Sequence, residues 1–205
     1  MKTLRTNTPA RPAKEARILR PPPPLWKNEL EGILISRRRI ANRVRELARQ
    51  LEADYANSDL LVVALLTGTV MFLADLIRHL DRPLRLDFIG VSSYGEGTTP
   101  GPLVFTKELH LEIRGRDVLL VDDILDTGRT LKRVAEKLSG LGALRVKTCV
   151  LLNKQARRTE QISADYVGFE IPDYFVVGYG LDYAERYRNL PFVGVLRPEI
   201  IAGRR

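Results

Sequence analysis

Seven consecutive apolar residues, Leu60 to Leu66 (LLVVALL), leave this chain few folds to choose from. Short and continuous, the run reads as a strand covered on both faces, and strands of that kind belong to parallel sheets with helices on either side. The neighbouring segments fit that layout. Ser36 is a candidate N-cap ahead of Ile40, Val44, Leu47 and Leu51, which recur at helical spacing to about Tyr55. After Gly68 the stretch VMFLADLIRHL is again helical. Leu84 to Val91, Val118 to Val121 and Val146 to Leu152 are further apolar strands, with a helix from Arg129 to about Leu141 between the last two. Alternating strands and helices predict an α/β fold with a mostly parallel central sheet and right-handed crossovers. Ligands in such folds sit beyond the carboxyl ends of the strands.

One of those strand ends carries unusual chemistry. Val118 to Leu131, VLLVDDILDTGRTL, runs from an apolar strand past two adjacent acids, Asp122 and Asp123, through Asp126-Thr127-Gly128 into a helical segment. A turn that opens a helix leaves backbone N–H groups converging at the positive end of the helix dipole, where an anion such as phosphate is held. Thr127 and Thr130 add hydroxyl donors, and Gly128 lets a phosphate approach where a Cβ would hinder it. An ordinary turn with Asp126 as helix cap accounts for Asp126 and Thr127. It leaves Asp122 and Asp123 unexplained, because neighbouring carboxylates at the end of an apolar strand need a cation or a polar ligand nearby. They suit ribose hydroxyls and a hard cation such as Mg2+.

The strand, acidic pair and D-T-G-x-T turn resemble the phosphoribosyl-diphosphate (PRPP) motif of type I phosphoribosyltransferases. Three further blocks narrow the resemblance to the hypoxanthine-guanine phosphoribosyltransferases, from about residue 33 to 198. They are LLTGTVMFLADL, VSSYGEGTT, and LLNK followed by ADYVGFEIPDYFVVGYGLDYAERYRNLPFVGVL. The resemblance implies a parallel sheet with a small hood built from the N- and C-terminal segments, and a Mg2+-dependent transfer of phosphoribose to a 6-oxopurine. It assigns Asp122, Asp123, Asp126, Thr127, Gly128, Arg129 and Thr130 to PRPP, with Asp126 as general base at purine N7. Leu66, Thr67 and Gly68, in a turn ending at Thr69, form the pyrophosphate loop together with Arg188, and a cis peptide joins Leu66 to Thr67. Many relatives carry Lys where this chain has Thr67, so one positive charge is missing there. Ser93 and Tyr94 open a lid that keeps water from the reacting centre. Lys154 donates to the purine O6, Phe175 stacks on the base, and the carbonyls of Val176 and Asp182 accept from it. Asp122, Asp123 and Asp182 are the implied Mg2+ ligands. Homo-oligomers, dimers or tetramers, are also implied.

The net charge of +8 is not a property of the whole chain. Residues 1 to 45 carry 12 Lys and Arg against 3 Asp and Glu, while residues 46 to 205 carry 21 against 22. Residues 1 to 24 read as a disordered Pro- and Arg-rich extension, and 25 to 205 as a single domain. No apolar run approaches a membrane span, and a lone cysteine, Cys149, in an apolar strand excludes a disulfide framework and points to a cytoplasmic protein. His79 and His110 lack metal-ligand spacing and read as structural. Two other functions fit parts of this pattern. An RNA-binding regulator on the same fold is suggested by the basic N-terminus, and salt-titrated filter binding after removal of residues 1 to 30 tests it. A family member preferring xanthine is the other.

Overall fold

The computed structural model describes residues 20–93 and 103–203, and in it the apolar runs are strands and the periodic segments helices. In chain order these are β1 (Leu30–Ile35), α1 (Arg37–Asp54), β2 (Leu60–Leu66), α2 (Val70–Ile77), β3 (Arg85–Ser93), β4 (Leu103–Lys107), β5 (Asp117–Leu125), α3 (Arg129–Gly140), β6 (Arg145–Asn153), β7 (Tyr166–Glu170), β8 (Val176–Val177), β9 (Val193–Leu196) and α4 (Pro198–Ala202). The main sheet has the order β4-β3-β2-β5-β6-β7. Its strands pair in parallel except for β4, which is antiparallel at the edge.

The LLVVALL run can be wholly apolar because both faces of β2 are covered. Val62 and Ala64, with Leu119 and Val121 of β5, face α1 and α2, whose Ile40, Val44, Leu47, Leu51, Phe72 and Leu76 complete that core. The intervening Leu61, Val63 and Leu65, with Val118 and Leu120, face Leu131, Val134 and Leu138 of α3. Each large side chain so buried contributes about 1.5–3 kcal/mol. Ser36 caps α1, its Oγ accepting from the Arg39 N–H at 3.5 Å. The helical pattern expected to reach Leu80 stops at Ile77, where the His79 and Leu80 amides bond three residues back and tighten the chain out of the α-helix. Cys149 is a buried packing residue of β6, and burial pushes its thiol pKa up. Among the described residues no helix is long and apolar enough to cross a membrane.

A second, antiparallel sheet, β1-β9-β8, ties the N-terminal segment to the C-terminal one and encloses Leu30, Val177, Tyr187, Leu190, Phe192 and Leu196. This is the expected hood. Of the expected extension, residues 1–19 lie outside the described residues, whereas Arg20 forms a bridge to Ile33 of β1. Pairing with the hood therefore includes a residue of the stretch expected to be extension.

Asp87 fastens β3 to the segment after β4. Its carboxylate accepts from the amides of Phe88 (2.8 Å), His110 (2.6 Å) and Leu111 (2.8 Å), and Lys107 lies 3.5 Å away. Burial alone would raise this carboxyl, but the amides and the Lys107 charge outweigh it and hold its pKa below the usual range. A lowered native pKa stabilises the fold above the unfolded value of about 3.9 and ceases to do so as pH falls through the native value. Asp87→Asn is expected to lower the urea midpoint at pH 7, with the gap to wild type narrowing as pH falls below the unfolded value of about 3.9. A gap that stayed constant with pH would assign the effect to something other than the charge.

Candidate active site

β5 ends at Leu125, residues 126–128 turn, and α3 starts at Arg129. The cap of α3 is Gly128, not Asp126. Gly128 holds φ +87°, a left-handed conformation that favours glycine, and a Cβ there would lie 2.7 Å from Ile162 Cγ2 and 3.1 Å from Arg158 Cδ. Its missing side chain thus makes room for the protein's own wall. Gly128 has no side chain with which to cap α3, and the Arg129 N–H reaches Thr127 Oγ1 at 3.4 Å.

That wall is the segment after β6, and the sequence contained no pattern that revealed it. Arg158 donates from Nε to the Asp126 carbonyl (2.8 Å), from Nη2 to the Leu125 carbonyl (3.2 Å) and Asn153 Oδ1 (2.6 Å), and from Nη1 to the Ile162 carbonyl (2.6 Å). The amides of Thr159 and Glu160 both donate to the Thr127 carbonyl. Arg158→Ala would leave these acceptors short of donors, at about 1–3 kcal/mol for each one that water does not reach. The expected result is a lowered thermal midpoint and a raised KM for whatever ligand the turn binds, with Arg158→Lys repairing only part, since an ammonium lacks the fork.

Asp122 is buried, and its Oδ1 accepts from the Asp123 amide at 2.9 Å and from Thr69 Oγ at 3.2 Å. Burial pushes both carboxyls of the pair above the ordinary range, and for Asp122 the neighbouring carboxylate adds to it. A divalent cation would relieve exactly that penalty, and carboxylate oxygens are its preferred donors. The expected metal set of Asp122, Asp123 and Asp182 does not close into a cage, however. Among the described residues no three acidic, His or Cys side chains converge, and Asp182 Oδ1 is instead paired with Arg188 at 2.9 Å. A cation here would complete its shell with ligand oxygens and water, as Mg2+ ordinarily does.

The Leu66–Thr67 peptide is cis, as the resemblance implied. Beyond it the turn is wedged between two other segments. A Cβ on Gly68 would lie 1.9 Å from Asp123 Oδ2, and one on Gly180 would lie 1.9 Å from the Gly68 carbonyl oxygen. Arg188 donates to the Gly180 carbonyl at 2.9 Å and pairs with Glu185 at 3.1 Å as well as with Asp182. Residues 178–187 concentrate left-handed backbone, including the non-glycine Tyr179, Ala184, Glu185 and Tyr187. Tyr179 is fixed by its hydroxyl on Asp75 Oδ2 at 2.6 Å, and Tyr187 by its hydroxyl on Glu29.

Lys154 directly follows β6. It is buried, its amide donates to the Leu125 carbonyl, and its ammonium lies 3.1 Å from Asp126 Oδ2 and 3.2 Å from Asp173 Oδ1. The other Asp126 oxygen, Oδ1, is buried with no hydrogen-bond partner among the described residues. Phe175 is 40 % exposed and meets the Tyr183 ring edge-on at 5.4 Å. Val176 is buried in β8, opposite Val195.

A cavity of about 350 Å3 opens where these segments meet, walled by Leu66 to Thr69, Asp122 to Gly128, Thr130, Asp182 and Arg188. Lys154, Phe175 and Val176 are not among its walls, and Lys154 joins it through Asp126. Arg129 lines a separate groove with Lys132, Arg133 and Glu160. Ser93 is the last residue of β3, and Tyr94 lies outside the described residues.

A phosphoribosyl transferase domain model matches residues 34–184. The hypoxanthine-guanine phosphoribosyltransferase of Bacillus subtilis is 45% identical over 177 residues, 86% of this chain and 98% of that protein. The chain belongs to this family. Among solved structures, a hypoxanthine phosphoribosyltransferase from Staphylococcus aureus superimposes with a TM-score of 0.82 at 45% identity, covering 86% of this chain and 96% of that one. A bifunctional TilS/HprT protein of Listeria innocua is 48% identical over 174 residues, but the match spans only 27% of its length. Membership of the hypoxanthine-guanine phosphoribosyltransferase family accounts for the type I fold, with its mostly parallel sheet and its hood.

Proposed function

We propose that this chain transfers the 5-phosphoribosyl group of PRPP to N9 of hypoxanthine or guanine in a Mg2+-dependent purine-salvage reaction that yields IMP or GMP and pyrophosphate. The observation that carries this reading is the contact of Lys154 with Asp126 at 3.1 Å. It sets an obligate donor beside an acceptor that lines the cavity. The O6 and N7–H of a 6-oxopurine present the complementary pair, whereas the 6-amino group of adenine would direct a donor at the ammonium.

The roles of the other groups follow from their chemistry. The amides at the start of α3 and the hydroxyls of Thr127 and Thr130 hold the 5′-phosphate. Asp122 and Asp123 accept the ribose hydroxyls, and the Thr67–Thr69 turn with Arg188 holds the diphosphate. Phe175 lies on the base. As N9 bonds to C1′, the C1′–O bond breaks and its electron pair leaves with pyrophosphate, while Asp126 accepts the N7 proton. Asp122 and Asp123 would hold Mg2+ on their side of the cavity, and the ion, when bound, would offset the charge of the diphosphate. The same reading carries a cytoplasmic homo-oligomer, for which the exposed Val70 and Met71 beside the pyrophosphate turn are the apolar contact candidates. Incubation with PRPP, Mg2+ and hypoxanthine should release IMP and pyrophosphate in equal amounts, and EDTA should stop it. Pyrophosphate release without nucleotide would contradict the reading.

A further inference from the structure

The Lys154 ammonium lies between two carboxylates, and the reaction proposed above needs one of them for itself. Asp126 is 3.1 Å away on one side; Asp173, in the turn between β7 and β8, is 3.2 Å away on the other. Asp173 is anchored from beyond by Arg157, whose Nε stands 3.0 Å from Oδ1 and 3.1 Å from Oδ2. A third acceptor, the Tyr174 carbonyl, is 3.5 Å from the ammonium. Arg157, Asp173, Lys154 and Asp126 therefore form a row of alternating charge, ending at the carboxylate that faces the cavity.

A row built this way answers a difficulty in the chemistry. When a purine offers O6 to the Lys154 ammonium and N7–H to Asp126, the ammonium must turn from Asp126 Oδ2 towards the base. The Lys154 side chain is only 7% exposed, so an ammonium with no second partner would be left buried and uncompensated, and would resist that turn. We propose that Asp173 is a positioning residue that retains the Lys154 ammonium at the purine O6 when Asp126 turns to N7. The inference rests on the reading of Lys154 and Asp126 given above. The bonds from Arg157 and then Lys154 hold the Asp173 carboxyl below the usual carboxylate range. Since Asp173 touches the donor and not the base, removing it should change how the acceptor is held, and leave PRPP handling alone.

Steady-state kinetics of Asp173→Asn, with Asp173→Glu and Lys154→Met in parallel, test this. In Asp173→Asn the only carboxylate left to the ammonium is Asp126, and the purine must compete with that pair. The KM for hypoxanthine and guanine should rise about tenfold or more, with KM for PRPP within about twofold. The preference for hypoxanthine over adenine should shrink, and Asp173→Glu should regain most of the purine affinity. An unchanged purine KM in Asp173→Asn, while Lys154→Met loses purine binding, would overturn this inference and leave the reading of Lys154 intact. Equal losses in all parameters with a lowered thermal midpoint and no recovery by glutamate would reduce Asp173 to a structural residue. Wild-type purine KM in Lys154→Met would sink the Lys154 reading itself, and this inference with it.

Discussion

Asp126→Asn is expected to lower the single-turnover rate of nucleotide formation by about a hundred- to ten-thousand-fold, the range removed with a general base. KM for PRPP should stay within about twofold of wild type, because the phosphate is assigned to backbone amides and threonine hydroxyls. The turn should keep its shape, since the contact that holds residue 126 from behind is made by its carbonyl to Arg158 and not by its side chain. The asparagine amide is nearly isosteric but cannot take a proton, and it releases Lys154 to Asp173 at 3.2 Å. Single-turnover measurement is needed because slow product release would mask part of the loss in kcat. A chemical step at the wild-type rate would remove Asp126 from the role of base.

Gly180→Ala is expected to cost more than a hundredfold in kcat/KM for PRPP, together with about 2 kcal/mol or more of stability. Two independent obstacles meet at this position. The backbone has φ +103°, and the new Cβ would lie 1.9 Å from the Gly68 carbonyl oxygen, a contact that only movement of the main chain can relieve. Gly68 in turn sits where any Cβ would meet Asp123 Oδ2. Displacing the Gly180 segment therefore pushes the proposed pyrophosphate turn against the acidic pair. Gly140→Ala is the control: its Cβ would meet nothing within 4 Å, at the end of α3. It should keep full activity and gain a few tenths of a kcal/mol. Activity in Gly180→Ala close to that of Gly140→Ala would show that the turn does not depend on this wedge.

How much of this was visible in the linear sequence divides along contact range. The β5–α3 unit was readable because strand, acids, turn and helix are consecutive, and LLVVALL was readable because a doubly covered strand has no polar face to hide. Helix α1 announced itself through its spacing and its serine cap. The short strands of the hood are a different matter: β8 has two residues and β9 four, too few for any period, and only family resemblance suggested the hood. Gly68 and Gly180 fit together across a long separation, as do Thr69 and Asp122, or Arg158 and the Leu125–Asp126 carbonyls. Nothing in local spacing encodes such meetings. The burial of Lys154 was not legible, because it depends on Asp173 and Tyr174 folding over it. Gly128 and Arg129 differ in a similar way. The glycine is required by Arg158 and Ile162 behind it, and the arginine side chain lies along another groove.

The central claim is that a lysine donor beside a carboxylate acceptor selects a 6-oxopurine as the phosphoribosyl acceptor. Initial rates with PRPP, Mg2+ and each of hypoxanthine, guanine, xanthine and adenine test it most directly, read as kcat/KM. The account predicts efficient formation of IMP and GMP, with xanthine ranked by the same assay as a third 6-oxopurine and adenine at least about a hundredfold worse than hypoxanthine. Efficient transfer to adenine, with hypoxanthine and guanine inert, would contradict it.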